Sequence, residues 1–477
     1  MERSSPRNET RVDEDEERMT AASEFPSGFL WGVATASYQV EGAVTEGGRG
    51  PSIWDTFSHT PGRTHNGANG DLAVDHYHRY AEDVGLMAEL GINAYRFSIS
   101  WSRILPEGTG RVNDAGIDFY RRLCKELLAA GITPVTTLYH WDLPQALQDR
   151  GGWLNRESAD WFAEYAGITK EGLGDLIKVW ATLNEPWCSA FLGHSSGEHA
   201  PGVTNPGQSF VAAHHLLLAH HAAIGAMRST NPHADDQLGI VLNLIPAWPA
   251  SDSAEDVFAA ASVDATSNTL FTEAVFHGRY PEEVLGYFDR YEVSDLIDTA
   301  ELSRAVEPID FLGVNYYNVN HVQHAPGAPE MGSWPGSWEA QITRPPGRLT
   351  EMGWGVEPDG LLWMLERIGR EHPGVPLYIC ENGAAYPDEV SPEGTIDDPD
   401  RIAYLEGHIE AVQKALERGV DIRGYFVWSL LDNFEWALGY DKRFGIVWVD
   451  LETMERTIKA SGHWYRNFIA DRVAARI

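Results

Sequence analysis

Cysteine is scarce in this 477-residue chain. Cys124, Cys188 and Cys380 are scattered, with no CxxC pair, which argues against a disulfide framework or structural zinc and fits a reducing compartment. Positive charge is short as well: 36 Lys and Arg stand against 70 Asp and Glu, a formal net charge of −34. A field of that sign opposes nucleic acid and anionic lipid but admits a neutral small molecule. No uninterrupted apolar run of about 18 residues appears, against a transmembrane helix. The first residues are polar, include the acidic run Asp13-Glu14-Asp15-Glu16-Glu17, and lack the apolar core of a secretory signal. We expect a disordered acidic tail over 1–23, one folded domain over 24–477, and a cytoplasmic location.

Internal repeats and Gly/Ser or Pro linkers are also missing, and no GxGxxG follows the first β-rich run, which disfavours a doubly wound sheet. What is present is alternation. β-Rich runs at 29–34, 94–99, 133–138, 178–183, 239–244, 311–315, 377–380 and 424–428 are separated by longer amphipathic stretches. The latter read as helices at 74–90, 115–130, 157–172, 210–227, 359–370 and 401–417. Gly91, Gly131 and Gly419 sit just past helix ends, where a left-handed cap favours glycine. Strands alternating with helices in this number predict an α/β fold, a single (β/α)8 TIM barrel with its active site at the C-terminal ends of the strands. The segment 322–353, with Pro, Gly and Trp, reads as an extended loop after the sixth strand.

On that assignment the polar strand-end residues converge on one mouth. They are Gln39, Arg96, His140 with Trp141, Asn184 with Glu185, Asn315 with Tyr317, Glu381, and Trp428 followed by Glu435 and Trp436. Glu185 and Glu381 each end a β-rich run just before a Pro or an Asn-Gly breaks it. Far apart in sequence, they meet only through the fold. Two carboxyls at one pocket suit hydrolysis of a glycosidic bond, one protonated to help the leaving oxygen and one ionised to attack or stabilise the sugar cation. The pairs His214-His215 and His220-His221 lack the i, i+4 spacing of a helical metal site, and no metal or cofactor is expected. They are expected to face the barrel from the helix that follows the fourth strand.

Phe29-Leu30-Trp31-Gly32-Val33-Ala34-Thr35-Ala36-Ser37-Tyr38-Gln39, Tyr95-Arg96-Phe97-Ser98-Ile99-Ser100-Trp101-Ser102-Arg103, Thr182-Leu183-Asn184-Glu185-Pro186 and Tyr378-Ile379-Cys380-Glu381-Asn382-Gly383 closely resemble glycoside hydrolase family 1. The resemblance runs from Phe25 to about Phe468. It implies that Glu185 is the general acid/base and Glu381 the nucleophile of a retaining β-glucosidase. It further implies that Arg96 and Tyr317 hold Glu381 as the anion, and that Asn184 binds the sugar 2-hydroxyl. Gln39, His140, Glu435 and Trp436 would surround the other hydroxyls, with Trp428 beneath the ring. For Gln39, His140 and Trp141, satisfying backbone groups or packing the core is the competing reading. Trp187 and Trp354 would line the aglycone side, although many of the 17 Trp must be core. Cys380 stands where the family often has Thr, and strand alternation would point its side chain away from that of Glu381. The implied activity is exo-hydrolysis of cello-oligosaccharides and aryl or alkyl β-glucosides. A broader β-glycosidase, a transglycosidase and a non-catalytic sugar-binding barrel are the alternatives.

Overall fold

A computed structural model describes residues 25–474. The expected acidic tail over 1–23 lies outside them. Eight parallel strands close a barrel: β1 (Leu30–Ala34), β2 (Ala94–Ser98), β3 (Thr133–Tyr139), β4 (Val179–Asn184), β5 (Gln237–Asn243), β6 (Phe311–Asn315), β7 (Leu377–Asn382) and β8 (Ile422–Trp428). They are hydrogen-bonded in sequence order, and β1 closes on β8 from Leu30↔Gly424 to Ala34↔Trp428. This is the (β/α)8 barrel that the alternation predicts.

Most of its helices bury one face against the strands, while Pro206–Ser229 is buried nearly all round. His76–Glu89, Asp114–Ala129, Ser158–Leu173, Pro206–Ser229, Pro358–Glu371 and Pro399–Glu417 correspond to the six amphipathic stretches. Gly91, Gly131 and Gly419 follow three of them with φ of +68°, +75° and +87°, the left-handed ending expected there. Pro206–Ser229 alone among the described helices is long and apolar enough to cross a membrane by length and composition; 83% of its most apolar window is buried in the fold. His220 on this helix bonds Thr182 Oγ1 of β4 at 2.7 Å, while His214, His215 and His221 bond Tyr280, the Trp153 carbonyl and the Ala274 carbonyl. These histidines tie the helix to its neighbours; no metal-holding cluster occurs among the described residues.

Two apolar layers result. The larger lies between strands and helices, and a smaller plug fills the barrel, including Ala34, Ala94, Val135, Ala181, Val241, Phe311, Tyr378, Cys380, Phe426 and Trp428. The plug supports the polar groups above it at the C-terminal mouth.

Three features depart from the sequence reading. The stretch 322–353 is not simply an extended loop. Asn320–His324 pairs antiparallel with Ala340–Ile342 and parallel with Ala247–Pro249, a small sheet beside the barrel. These strands are only three to five residues long and half exposed, so they leave almost no period-2 signal. Helices Ala254–Asp264, Leu270–His277 and Glu282–Arg290 fill the β5–β6 connection. Finally, β4 and β7 both shift register just before their glutamates. Cys380 therefore packs into the plug although Glu381 also faces the barrel axis, and strict alternation fails there.

A buried ion network fixes the loops after β7 and β8. Lys459 Nζ bonds Asp388 Oδ2 at 2.5 Å and Asp432 Oδ1 at 2.7 Å. Arg401 bonds Asp388 and Asp398, and Arg443 Nη1 bonds Asp432 Oδ2 at 2.8 Å. Removing one charge from such a network strands its partners in low dielectric. Lys459→Met is expected to lose about 3–5 kcal/mol in denaturant unfolding; a loss under about 1 kcal/mol would show that the network does not hold the mouth together.

Candidate active site

Arg96 rises from β2 into the barrel mouth, almost wholly buried. Its Nη1 donates to Glu381 Oε1 on β7 at 2.6 Å and to the Cys380 carbonyl at 3.3 Å, and its Nη2 donates to Asn184 Oδ1 on β4 at 2.6 Å. Tyr317, just past β6, donates its hydroxyl to Glu381 Oε2 at 2.6 Å. Both oxygens of Glu381 thus receive strong donors, the environment of a carboxylate anion. Burial and neighbouring Glu381 push the Tyr317 hydroxyl well above its ordinary value, so it remains a donor.

Glu185 has different company. Asn315 Nδ2 donates to its Oε1 at 2.6 Å and the Cys188 thiol to its Oε2 at 3.1 Å, and no cation among the described residues bonds it. Burial, then repulsion from Glu381, push its carboxyl up to about 7, against weaker lowering by Asn315, Cys188 and Arg96. One carboxyl is held as an anion by a guanidinium, and the other keeps a proton near neutrality. That is the division of labour that acid-assisted glycosidic cleavage needs.

Around this pair lie buried polar atoms without partners among the described residues: Gln39 Oε1, His140 Nδ1, Asn315 Oδ1 and Glu435 Oε2. Gln39 Nε2 is fixed by the Phe434 carbonyl at 2.9 Å and by Asn433 Oδ1 at 3.1 Å. His140 Nε2 meets Asn184 Nδ2 at 3.1 Å, and burial with the Arg96 charge holds its imidazole well below the ordinary value, hence neutral. Leaving such groups unpaired costs about 1–3 kcal/mol each, which a ligand rich in hydroxyls repays. Burial, followed by Glu381 and Glu185, pushes the Glu435 carboxyl up to about 8.

Aromatic rings form the walls. Trp428 lies nearly parallel to His140 at 5.9 Å and 19°, and His140 to Trp436 at 5.9 Å and 18°. Trp141 spends its indole N–H on the Asn184 carbonyl at 2.9 Å and packs on Trp436, so it builds the wall with no N–H left to offer. Trp354 packs on Tyr317 and Phe444 at the rim. Trp187 is buried against Phe191 and Trp334. Trp141, Glu185 and Trp436 have positive φ of 76°, 45° and 49°, a left-handed backbone costing of order 1–3 kcal/mol at each non-glycine position. At Gly383 a Cβ would lie 1.7 Å from the Trp428 carbonyl oxygen, so only glycine lets the ends of β7 and β8 approach this closely.

The sequence reading overlooked Cys188. Its position three residues after Glu185, on a turn opened by the Cys188 N–H to the Glu185 carbonyl at 2.9 Å, was the available signal. Asn433, which orients Gln39, carries no sequence signal of its own.

The model of Glycosyl hydrolase family 1 matches residues 21–473. The chain belongs to glycosyl hydrolase family 1. Among family 1 relatives, Beta-glucosidase A of Thermotoga maritima is 50% identical over 446 residues, covering 93% of this chain and 97% of the relative. The Bifunctional beta-D-glucosidase/beta-D-fucosidase of Bifidobacterium breve is 47% identical over 463 residues, covering 94% and 99%. A beta-glucosidase from Thermotoga maritima solved in complex with glucoimidazole superposes with a TM-score of 0.89 at 48% identity, covering 94% of this chain and 99% of that one. As a member of family 1 the chain is an enzyme, a glycoside hydrolase.

The raised Glu435 carboxyl has a consequence for stability. A carboxyl lifted from an ordinary 4.5 to about 8 is penalised when ionised, so its cost accrues as pH climbs between those values. Glu435→Gln is expected to melt close to the parent at pH 4 and above it at pH 9. A melting-temperature difference independent of pH would contradict this.

Proposed function

We propose that the protein is a retaining, exo-acting β-glucosidase that removes terminal non-reducing β-D-glucosyl residues by double displacement. The observation that carries the reading is the unequal environment of two buried carboxyls. Glu381 accepts from Arg96 and Tyr317, whereas Glu185 accepts from an amide and a thiol. Glu381 attacks the anomeric carbon while Glu185 gives its proton to the departing oxygen. Glu185 then takes a proton from water as the glycosyl ester is cleaved. Asn184, locked by Arg96, is the group that meets the 2-hydroxyl. Gln39, His140, Glu435 and Trp436 bind the remaining hydroxyls over Trp428.

Names of relatives support the substrate class: beta-glucosidases and 1,4-beta-D-glucan glucohydrolases recur among them. Cello-oligosaccharides and aryl or alkyl β-glucosides are the substrates we propose. Glu435 argues for an unphosphorylated sugar, because a carboxyl at that position offers a phosphate dianion no cation to pair with. A second reading, activity on β-fucosides as well, is favoured by the name of the Bifidobacterium breve relative, and a panel of nitrophenyl glycosides separates the two.

Retention requires the carboxyls about 5–5.5 Å apart. NMR of early hydrolysis of an aryl β-glucoside is expected to give β-glucose first; α-glucose would exclude double displacement. Glu381→Ala should lose activity by several orders of magnitude and, with azide, yield the α-glycosyl azide.

The pH profile of kcat/KM should fall on its alkaline side: loss of the Glu185 proton ends activity above about 7, since the acid works only while protonated. An activity plateau continuing through pH 9 would remove Glu185 from the acid role.

A further inference from the structure

We infer that Cys188 is a positioning residue for the acid, its thiol being the partner of the one oxygen of Glu185 that carries the proton. This rests on the assignment of Glu185 as general acid made above.

Hydrogen-bond polarity, propagated from Arg96, selects that oxygen. A guanidinium only donates, so the Asn184 atom 2.6 Å from Arg96 Nη2 is the carbonyl Oδ1. The Asn184 amide then points its Nδ2 at His140 Nε2, which accepts, and the proton of this neutral imidazole sits on the free Nδ1. Asn315 lies 3.1 Å from the same Asn184 Oδ1 and must face it with Nδ2. That Nδ2 also donates to Glu185 Oε1 at 2.6 Å. An amide NH2 cannot accept, so a proton on Oε1 would confront another donor. The acid proton is left to Oε2.

Among the described residues, Oε2 has one hydrogen-bond partner, Cys188 Sγ at 3.1 Å. Both side chains are buried. A thiol suits a proton that comes and goes: sulfur is a weak acceptor toward the neutral acid, and S–H a weak donor toward the carboxylate. Burial, with the charge of Glu185, keeps this thiol far above its ordinary value, so it stays S–H and is no nucleophile. During glycosylation the Oε2–H bond breaks and a leaving-group O–H forms, as the anomeric C–O bond gives way to one with Glu381. The carboxylate left behind is then met by S–H. In the second step the carboxylate takes a proton from water and the thiol returns to accepting.

The test is the pH dependence of kcat/KM on a nitrophenyl β-glucoside for Cys188→Ala, Cys188→Ser and Glu185→Gln, with melting temperatures to confirm folding. Removing a donor to the ionised form raises the acid's proton affinity. Cys188→Ala should move the alkaline limb up by about 0.5–1 pH unit. Serine, a stronger donor, should return the limb to the parent position or below. An alkaline limb unmoved in both, while Glu185→Gln abolishes it, overturns the role of Cys188 and leaves Glu185 as the acid. A limb that persists in Glu185→Gln overturns both assignments.

Discussion

The site is organised by one buried cation. Arg96 is nearly free of solvent, and its guanidinium touches Glu381 directly and Glu185 only through Asn184 and Asn315. A charge desolvated to this degree is tolerable only when paired, so the ion pair with Glu381 belongs to the structure of the barrel as much as to its chemistry. With negative charge settled on Glu381, a second carboxylate nearby is disfavoured, and the proton resides on Glu185. The chemical difference between two glutamates at equivalent strand ends is thus the position of a single arginine one strand from β1.

The mouth has its polar groups in place before any ligand arrives. Gln39, His140, Asn315 and Glu435 each hold a buried atom without a partner among the described residues, and Trp141, Glu185 and Trp436 hold left-handed backbones. Stability given up there is offset by the apolar layers on both sides of the strands and by the Lys459, Arg401 and Arg443 network beneath the loop carrying Glu435. Such rigidity suits electrostatic catalysis, because dipoles fixed in advance need not reorganise as charge develops.

The barrel was legible because its strands are short β-branched and apolar runs between capped amphipathic helices, and each of the eight was located to within a few residues. The pairing of Glu185 with Glu381 followed from their placement at strand ends. The small sheet of Ala247–Pro249, Asn320–His324 and Ala340–Ile342 was not legible, since half-exposed strands of this length depend on neighbours supplied by the fold. The register shifts in β4 and β7 were equally hidden. A bulge has no composition of its own, yet it is what turns Glu381 inward beside an inward Cys380. The same limit applies to Cys188, whose role comes from a contact and not from a motif.

The acidity of the pocket connects binding to chemistry. Glu185 and Glu381 both raise the Glu435 carboxyl, and interaction between two sites is reciprocal, so an ionised Glu435 strengthens the hold of Glu185 on its proton. With its carboxyl near 8, Glu435 is largely neutral at pH 7. Hydroxyl groups donated to Glu435 favour its ionised form, just as donors do for any carboxylate. Under the function proposed above, a neutral sugar that engages Glu435 would therefore add negative potential at Glu185 and favour its protonated form. A ligand lacking those hydroxyls leaves Glu435 protonated and does not raise the acid in this way. Under that function, recognition at one end of the pocket and proton delivery at the other would be coupled through the fields of Glu435, Glu381 and Glu185.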